Sequence, residues 1–210
     1  MTNAATRTYV ESFVTESPVA VSARQRADEL GVEPVGTGAG AALRFIAAAI
    51  DAKGVVEVGT GTGVSGIWLL EGMHPDGVLT TVDTEIEHQR AAKRAFSEAG
   101  IASSRARVIT GAARDVLPRL TDGAYDLVFI DADPLDYAEL LEEALRLLRP
   151  GGIVIFDDAT HRDRVADPSA RDGESVALRD LGKLIREHDF LLPVVLPLGE
   201  GLLAAVHQPE

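Results

Sequence analysis

The sequence contains no cysteine. That excludes disulfides, thiolate metal ligands and cysteine nucleophiles, and it fits a reducing compartment, so a cytoplasmic location is expected. No apolar run approaches the ~18–20 residues needed to span a bilayer, so no membrane association is expected. The first residues, MTNAATRTYVESFV, lack a basic stretch followed by an apolar core, so no secretory leader is expected either. There is no basic excess: the formal net charge is −13. Nucleic-acid binders carry a basic footprint because phosphate contacts dominate their affinity, so a DNA or RNA partner is not expected. Internal repeats and low-complexity tracts are also missing.

What is present suits one well-packed domain of 210 residues, 46% hydrophobic and 25% charged. The first fifty residues read as helical. Ser22–Leu30 is rich in helix formers and ends at Gly31. Ala39–Ala52 is an alanine-rich apolar helix after the turn-like Pro34-Val35-Gly36-Thr37-Gly38. From residue 54 strands and helices alternate. Strands are expected at Val55–Val58, Val78–Val82, Ala106–Thr110, Tyr125–Ile130 and Ile153–Phe156. Helices are expected at Val64–Met73, Glu85–Ala99, Ala112–Leu120 and Leu135–Leu148. The strands are continuous apolar runs, as when helices cover both faces of a parallel sheet. After a helix at about Ser175–His188, Leu191–Leu196 and Leu202–Val206 flank Pro197-Leu198-Gly199-Glu200-Gly201. They read as a hairpin, which makes the last strand antiparallel. Residues 1–53 would form a helical cap and residues 54–210 an α/β core.

The stretch VVEVGTGTGVSG, Val55 to Gly66, fits two cofactor loops. Gly61-x-Gly63-x-x-Gly66 is a dinucleotide fingerprint, and Glu57-x-Gly59-x-Gly61-x-Gly63 fits a loop for S-adenosylmethionine. In both, a glycine-rich turn lets a ligand approach the backbone at a helix start. The first glycine should directly follow the strand. Gly59 does so after Val58, whereas Gly61 does not, so the register favours S-adenosylmethionine; the dinucleotide reading stays open. Glu57 then sits at the strand's carboxyl end, near the ligand's cationic amino-acid part. Asp83, closing the second strand, takes the place of the acidic residue that holds a ribose.

Asp131 and Asp133 follow the fourth strand, and Asp157 and Asp158 follow the fifth. Neighbouring parallel strands would bring Asp131, Asp157 and Asp158 to one edge, where ligands bind in such sheets. Three crowded carboxylates repel unless a cation or protons intervene. Oxygen-only ligands favour Mg²⁺, Mn²⁺ or Ca²⁺. The alternative is that these aspartates cap the following turns.

On EVGTGTGVSG, VDTE, DLVFIDAD, GGIVIFDD and LPLGEGLLAAV the chain resembles the S-adenosylmethionine-dependent O-methyltransferases of the catechol and caffeoyl-CoA type, in particular their actinobacterial-looking members. The similarity runs from about Val35 to Val206. It implies a Rossmann-like class I methyltransferase fold: a seven-stranded, mostly parallel sheet with an antiparallel C-terminal hairpin strand and helices on both faces. It implies that Val35, Glu57, Gly59, Thr60, Gly61, Ser65, Asp83 and Ala113 bind S-adenosylmethionine, with Asp131 and Asp133 beside it in catalytic positions. It implies a divalent cation on Asp131, Asp157 and Asp158, a small hydroxylated acceptor, and a homodimer. The chain departs from the family in three places. Asp158 replaces a usual asparagine. Pro134 replaces the lysine proposed as general base, leaving Asp133 or His161 to accept a proton. Ala159-Thr160-His161-Arg162-Asp163 replaces a loop that often carries tryptophan. These departures keep alive the alternative of a protein that binds S-adenosylmethionine without transferring its methyl group. A nicotinamide oxidoreductase is a weaker alternative, because no hydride-transfer site is visible.

Overall fold

The structure is a computed structural model that describes residues 4–209. Its frame is one seven-stranded sheet built from β1 (Gly54–Val58), β2 (Val78–Asp83), β3 (Ala106–Thr110), β4 (Tyr125–Ile130), β5 (Leu148–Phe156), β6 (Leu191–Leu196) and β7 (Leu202–His207). The order across the sheet is β3-β2-β1-β4-β5-β7-β6. The first five strands pair in parallel, and β7 runs antiparallel to both β5 and β6. The chain moves outward from β1 to β3, then returns to the other side of β1 for β4. In open sheets such a reversal leaves a crevice at the carboxyl ends of the strands.

Among the described residues, eight α-helices accompany the sheet: α1 (Ala4–Ser12), α2 (Pro18–Leu30), α3 (Thr37–Ala49), α4 (Val64–Gly72), α5 (Ile86–Glu98), α6 (Ala113–Val116), α7 (Tyr137–Leu147) and α8 (Gly173–Glu187). Alternate side chains of each strand serve opposite faces. Val55, Leu79, Leu127, Phe129 and Ile155 join Leu43, Ile67 and Trp68 from α3 and α4 on one face. Val56, Val128, Ile130, Val154 and Phe156 join Leu140, Leu147 and Leu181 from α7 and α8 on the other. Burial on both faces explains why these strands read as unbroken apolar runs. Among the described residues no helix is long and apolar enough to cross a membrane.

Several boundaries differ from expectation, each for a local reason. α3 begins at Thr37 rather than Ala39, because Glu11 of α1 accepts the Gly38 N–H at 2.7 Å. The same carboxylate accepts the Gly199 N–H at 3.1 Å, so one side chain ties α1, α3 and the β6–β7 turn together. α6 is one turn long and passes into a 3₁₀ turn at Leu117–Arg119. Pro118 has no N–H to continue an α-helix there. Pro134 likewise opens a 3₁₀ turn, Pro134–Asp136, before α7. β5 begins at Leu148, not Ile153: Tyr125 pairs with Leu148, and the register then shifts before Leu127 meets Ile153. Arg149-Pro150-Gly151-Gly152 forms that irregularity. β6 is an edge strand whose Leu192, Val194 and Val195 remain exposed, so its apolar run is not a sign of two-sided burial.

α3 and α4 pack closely because of two glycines. A Cβ on Gly40 would stand 2.4 Å from the Trp68 ring, and one on Gly72 would stand 2.2 Å from the Arg44 carbonyl oxygen. The Gly40→Ala variant is expected to lose about 1–3 kcal/mol through overpacking, although alanine gains about 1 kcal/mol in helix propensity. Thermal denaturation checks this: the melting temperature should fall by roughly 3–10 °C. An unchanged or raised value would show that the interface can yield.

Candidate active site

A cavity of about 550 Å³ opens at the carboxyl ends of β1, β2 and β4. Its wall includes the expected residues Val35, Gly59, Thr60, Gly61, Ser65, Asp83, Ala113, Asp131 and Asp133. Two expectations shift in detail. Glu57 lies beneath the wall, fully buried, because strand alternation turns it under the loop towards α4. Thr60 turns its hydroxyl inward, away from the cavity.

The loop after β1 owes its shape to close approach. Gly59 has φ +92, and a Cβ there would lie 1.8 Å from the Asp131 carbonyl oxygen. Only glycine fits between β1 and the end of β4. Gly66 lies in the first turn of α4, where a Cβ would meet the Phe96 ring at 2.8 Å. Its role is close helix packing, which is also the role of the third glycine in a dinucleotide fingerprint.

Beneath the loop runs a directed chain of hydrogen bonds. The Gln89 amide donates to the Thr60 hydroxyl at 3.2 Å, Thr60 donates to Thr81 at 2.7 Å, and Thr81 donates to Glu57 Oε2 at 2.5 Å. Ser65 lies close enough to Glu57 to favour its ionised form, yet Oε1 is buried with no hydrogen bond of ordinary geometry. Burial wins over these donors, and the Glu57 carboxyl is pushed up to about 7, with Asp83 adding repulsion. Thr81 and Gln89 carry no motif and escape a sequence reading. The parallel pairing of Glu57 with Thr81 is the one signal that could have revealed Thr81.

Asp83 faces the cavity in a fixed rotamer. Its Oδ2 accepts from the Gly61 N–H at 2.9 Å, its Oδ1 accepts from the Glu85 N–H at 2.9 Å, and His88 Nδ1 stands 3.2 Å from Oδ2. His88, one turn into α5, also lines the cavity and was not anticipated.

Asp131 and Asp157 follow paired residues, Ile130 and Phe156, so adjacent strands deliver them side by side. Asp131 stands in the cavity wall, partly exposed, and its carboxyl is raised well above the usual range. Burial is the main cause, followed by repulsion from Asp157, Asp158, Glu57 and Asp83. Burial likewise raises Asp157 to about 7, and its Oδ1 has no hydrogen-bond partner. Asp158 takes the left-handed backbone at φ 59, and its carboxyl is raised, again chiefly by burial. The Tyr137 hydroxyl bridges the two strand ends, accepting from the Ala132 N–H and donating to the Asp157 carbonyl at 3.4 Å each.

Among the described residues, the group of potential ligands whose atoms all lie within 4.8 Å of one another is His161, Asp172 and Glu174, not the three aspartates. Asp172 is already engaged there as the N-cap of α8 and as the partner of Arg164. His161, a candidate proton acceptor, is half-buried with Nε2 3.2 Å from Glu174 Oε2. Asp133 lines the cavity while its Oδ1 accepts the Leu135 N–H at 2.9 Å.

Residues 7–208 match the O-methyltransferase family. A protein of Mycolicibacterium smegmatis is 51% identical over 199 residues, covering 95% of each chain. Among solved structures, the O-methyltransferase TomG of Streptomyces achromogenes, in complex with SAM, is 27% identical with a TM-score of 0.88, covering 99% of this chain and 97% of TomG. An O-methyltransferase of Bacillus cereus in complex with SAH is 26% identical with a TM-score of 0.87, covering 97% of both chains.

Glu57 supplies a pH test. In the folded protein its carboxyl, pushed up to about 7, titrates above the ordinary glutamate value of 4.5. The folded state therefore binds its proton more tightly, and this contribution to stability is lost as pH rises from 4.5 through 7. Glu57→Gln keeps an acceptor for Thr81 and removes the titration. The variant's stability relative to the parent should rise with pH across that window, by roughly 1–3 kcal/mol at its upper end. Denaturant titrations at several pH values read this directly; a pH-independent difference would contradict it.

Proposed function

The chain belongs to the O-methyltransferase family, and on that premise we propose that its cavity takes S-adenosylmethionine and that a hydroxyl of a small, catechol-like acceptor receives the methyl group. The observation that carries this reading is the buried Glu57 carboxyl with an orphaned oxygen under the glycine loop, opposite an Asp83 held ready by two backbone donors. An acidic floor fits the ligand's ammonium, and a fixed carboxylate fits a ribose diol. The cavity volume is within the range of small-ligand sites. Bound there, S-adenosylmethionine supplies an electrophilic methyl carbon on a sulfonium.

The chain's own residues then do four things. The Gly59–Gly61 backbone, Ser65 and Asp83 bind and orient the donor, while Val35 and Ala113 close its sides. Asp131 stands between donor and acceptor. Asp131, Asp157 and Asp158, though their ligand atoms are not gathered within 4.8 Å of one another, offer oxygen donors, among them the unpartnered Asp157 Oδ1, that would suit a hard divalent cation. Such a cation, when bound, lowers the pKa of adjacent acceptor hydroxyls. Asp133 accepts the acceptor's proton at Oδ2, since Oδ1 holds the Leu135 N–H. Most of the rate gain then comes from alignment, because aligned reactants can gain several kcal/mol. The proposal includes a cytoplasmic homodimer. The N-terminal helices cover the acceptor side, and the exposed Tyr9, Phe13 and Phe45 lie in its contact.

A second reading is favoured by Pro134, which cannot transfer a proton: a protein that binds the donor without methylating. Turnover of a small catechol panel separates the two. Methylated product is expected, chelator should abolish it, and Mg²⁺ should restore it. Activity untouched by chelator would contradict the metal assignment, and tight donor binding without product would favour the second reading.

Pro134→Lys places an ammonium beside Asp133, at the head of the 3₁₀ turn. We expect it to raise the rate more at neutral pH than at high pH, where the acceptor ionises unaided. A uniform change across the pH–rate profile would count against a missing base.

A further inference from the structure

Two glutamates stand on the acceptor side besides the three aspartates. Glu33 comes from the segment between α2 and α3 and lines the cavity. Glu200 comes from the β6–β7 turn. Each acts on Asp157 and Asp158, adding repulsion to the dominant effect of burial. Both are held by one residue of the loop after β5. Arg162 Nη2 meets Glu33 Oε2 at 2.9 Å, and the Arg162 N–H donates to Glu200 Oε2 at 2.9 Å. Arg162 takes φ +53, within a run of three left-handed residues from His161 to Asp163. Such backbone persists only where its surroundings hold it. Here Thr160 holds it, donating through its hydroxyl and its N–H to the Glu200 carbonyl at 2.6 and 2.8 Å.

The charge balance is lopsided in either state of the aspartates. With a divalent cation bound they are ionised and exceed its charge. Without one, the basic groups acting on Asp158 are His161 and Arg162, and His161 already stands 3.2 Å from Glu174 while Arg162 is shared by two glutamates. Both of these basic groups are thus already matched by carboxylates, and Asp157 Oδ1 remains a buried acceptor without a donor.

We propose that Glu33 and Glu200, bracketed by Arg162, form a charge filter on the acceptor: molecules that are neutral or cationic away from the reacting hydroxyls are admitted, and those bearing a carboxylate or phosphate are turned away. This rests on the methyl-transfer reading above. Complementary charge discriminates between ligands of the same shape, more weakly where side chains such as Glu33 and Arg162 stay largely exposed and salt screens them. One unit of acceptor charge should change kcat/KM on the order of tenfold, less at high salt.

The test uses the whole chain at saturating S-adenosylmethionine and low ionic strength. Three acceptors share one ring: 4-(aminomethyl)catechol, 4-methylcatechol and 3,4-dihydroxybenzoate. The expected order of kcat/KM is amine, then neutral, then carboxylate, with at least about tenfold between the ends. In Glu33→Gln/Glu200→Gln the amine-to-carboxylate ratio should collapse towards one or invert, because Arg162 is then unopposed. An equal or reversed order in the parent protein, with turnover, overturns the filter alone. A ratio unmoved by the double substitution also overturns it. No product from any of the three acceptors, with donor binding intact, overturns the methyl-transfer reading and the filter with it.

Discussion

Buried negative charge at the carboxyl edge of the sheet is the constraint on which the site depends. Glu57, Asp131 and Asp157 sit at the ends of three neighbouring strands, and burial holds all three carboxyls above their usual range. Uncompensated burial of an ionised carboxylate is costly. The groups acting on Asp131 are themselves acidic, so the protein does not neutralise this edge from within. It keeps protons there, or it waits for a cation. A methyl donor carrying ammonium and sulfonium groups, and a hard metal ion, are both cations. The same feature that destabilises the free protein would thus favour the proposed ligands.

The rest of the fold holds that edge in place. Parallel register delivers Glu57 beside Thr81 and Ile130 beside Phe156, so side chains from separate segments meet without further adjustment. Gly59 lets the first loop lie against the end of β4. On the far side, Glu11 joins α1 to α3 and to the β6–β7 turn, and that turn carries Glu200. The N-terminal helices and the terminal hairpin are therefore mechanically linked.

Much of this was legible in the sequence, because it is local. Five apolar runs gave the parallel strands, and the hairpin at residues 197–201 gave the antiparallel one. The position of Gly59 relative to Val58 separated the two glycine registers, whereas the packing of Gly66 on Phe96 suits both. What stayed hidden depends on residues far apart in the chain. The cap on Gly38 comes from Glu11, 27 residues earlier, and the Arg162–Glu33 pair spans 129 residues. The inward turn of Thr60 follows from Gln89 and Thr81, neither of which signals a role by type or spacing. β6 reads like its neighbours, but edge position leaves it exposed, and no pattern of its own distinguishes it.

The central claim is that the buried acidic edge awaits a cationic ligand. Calorimetric titration with S-adenosylhomocysteine near pH 6.5, in buffers of different ionisation enthalpy, measures the protons exchanged on binding. Net proton release is predicted, because the ligand's ammonium favours ionised Glu57, and the release should shrink in Glu57→Gln. Binding with no proton exchange, or release unchanged by that substitution, would contradict the account.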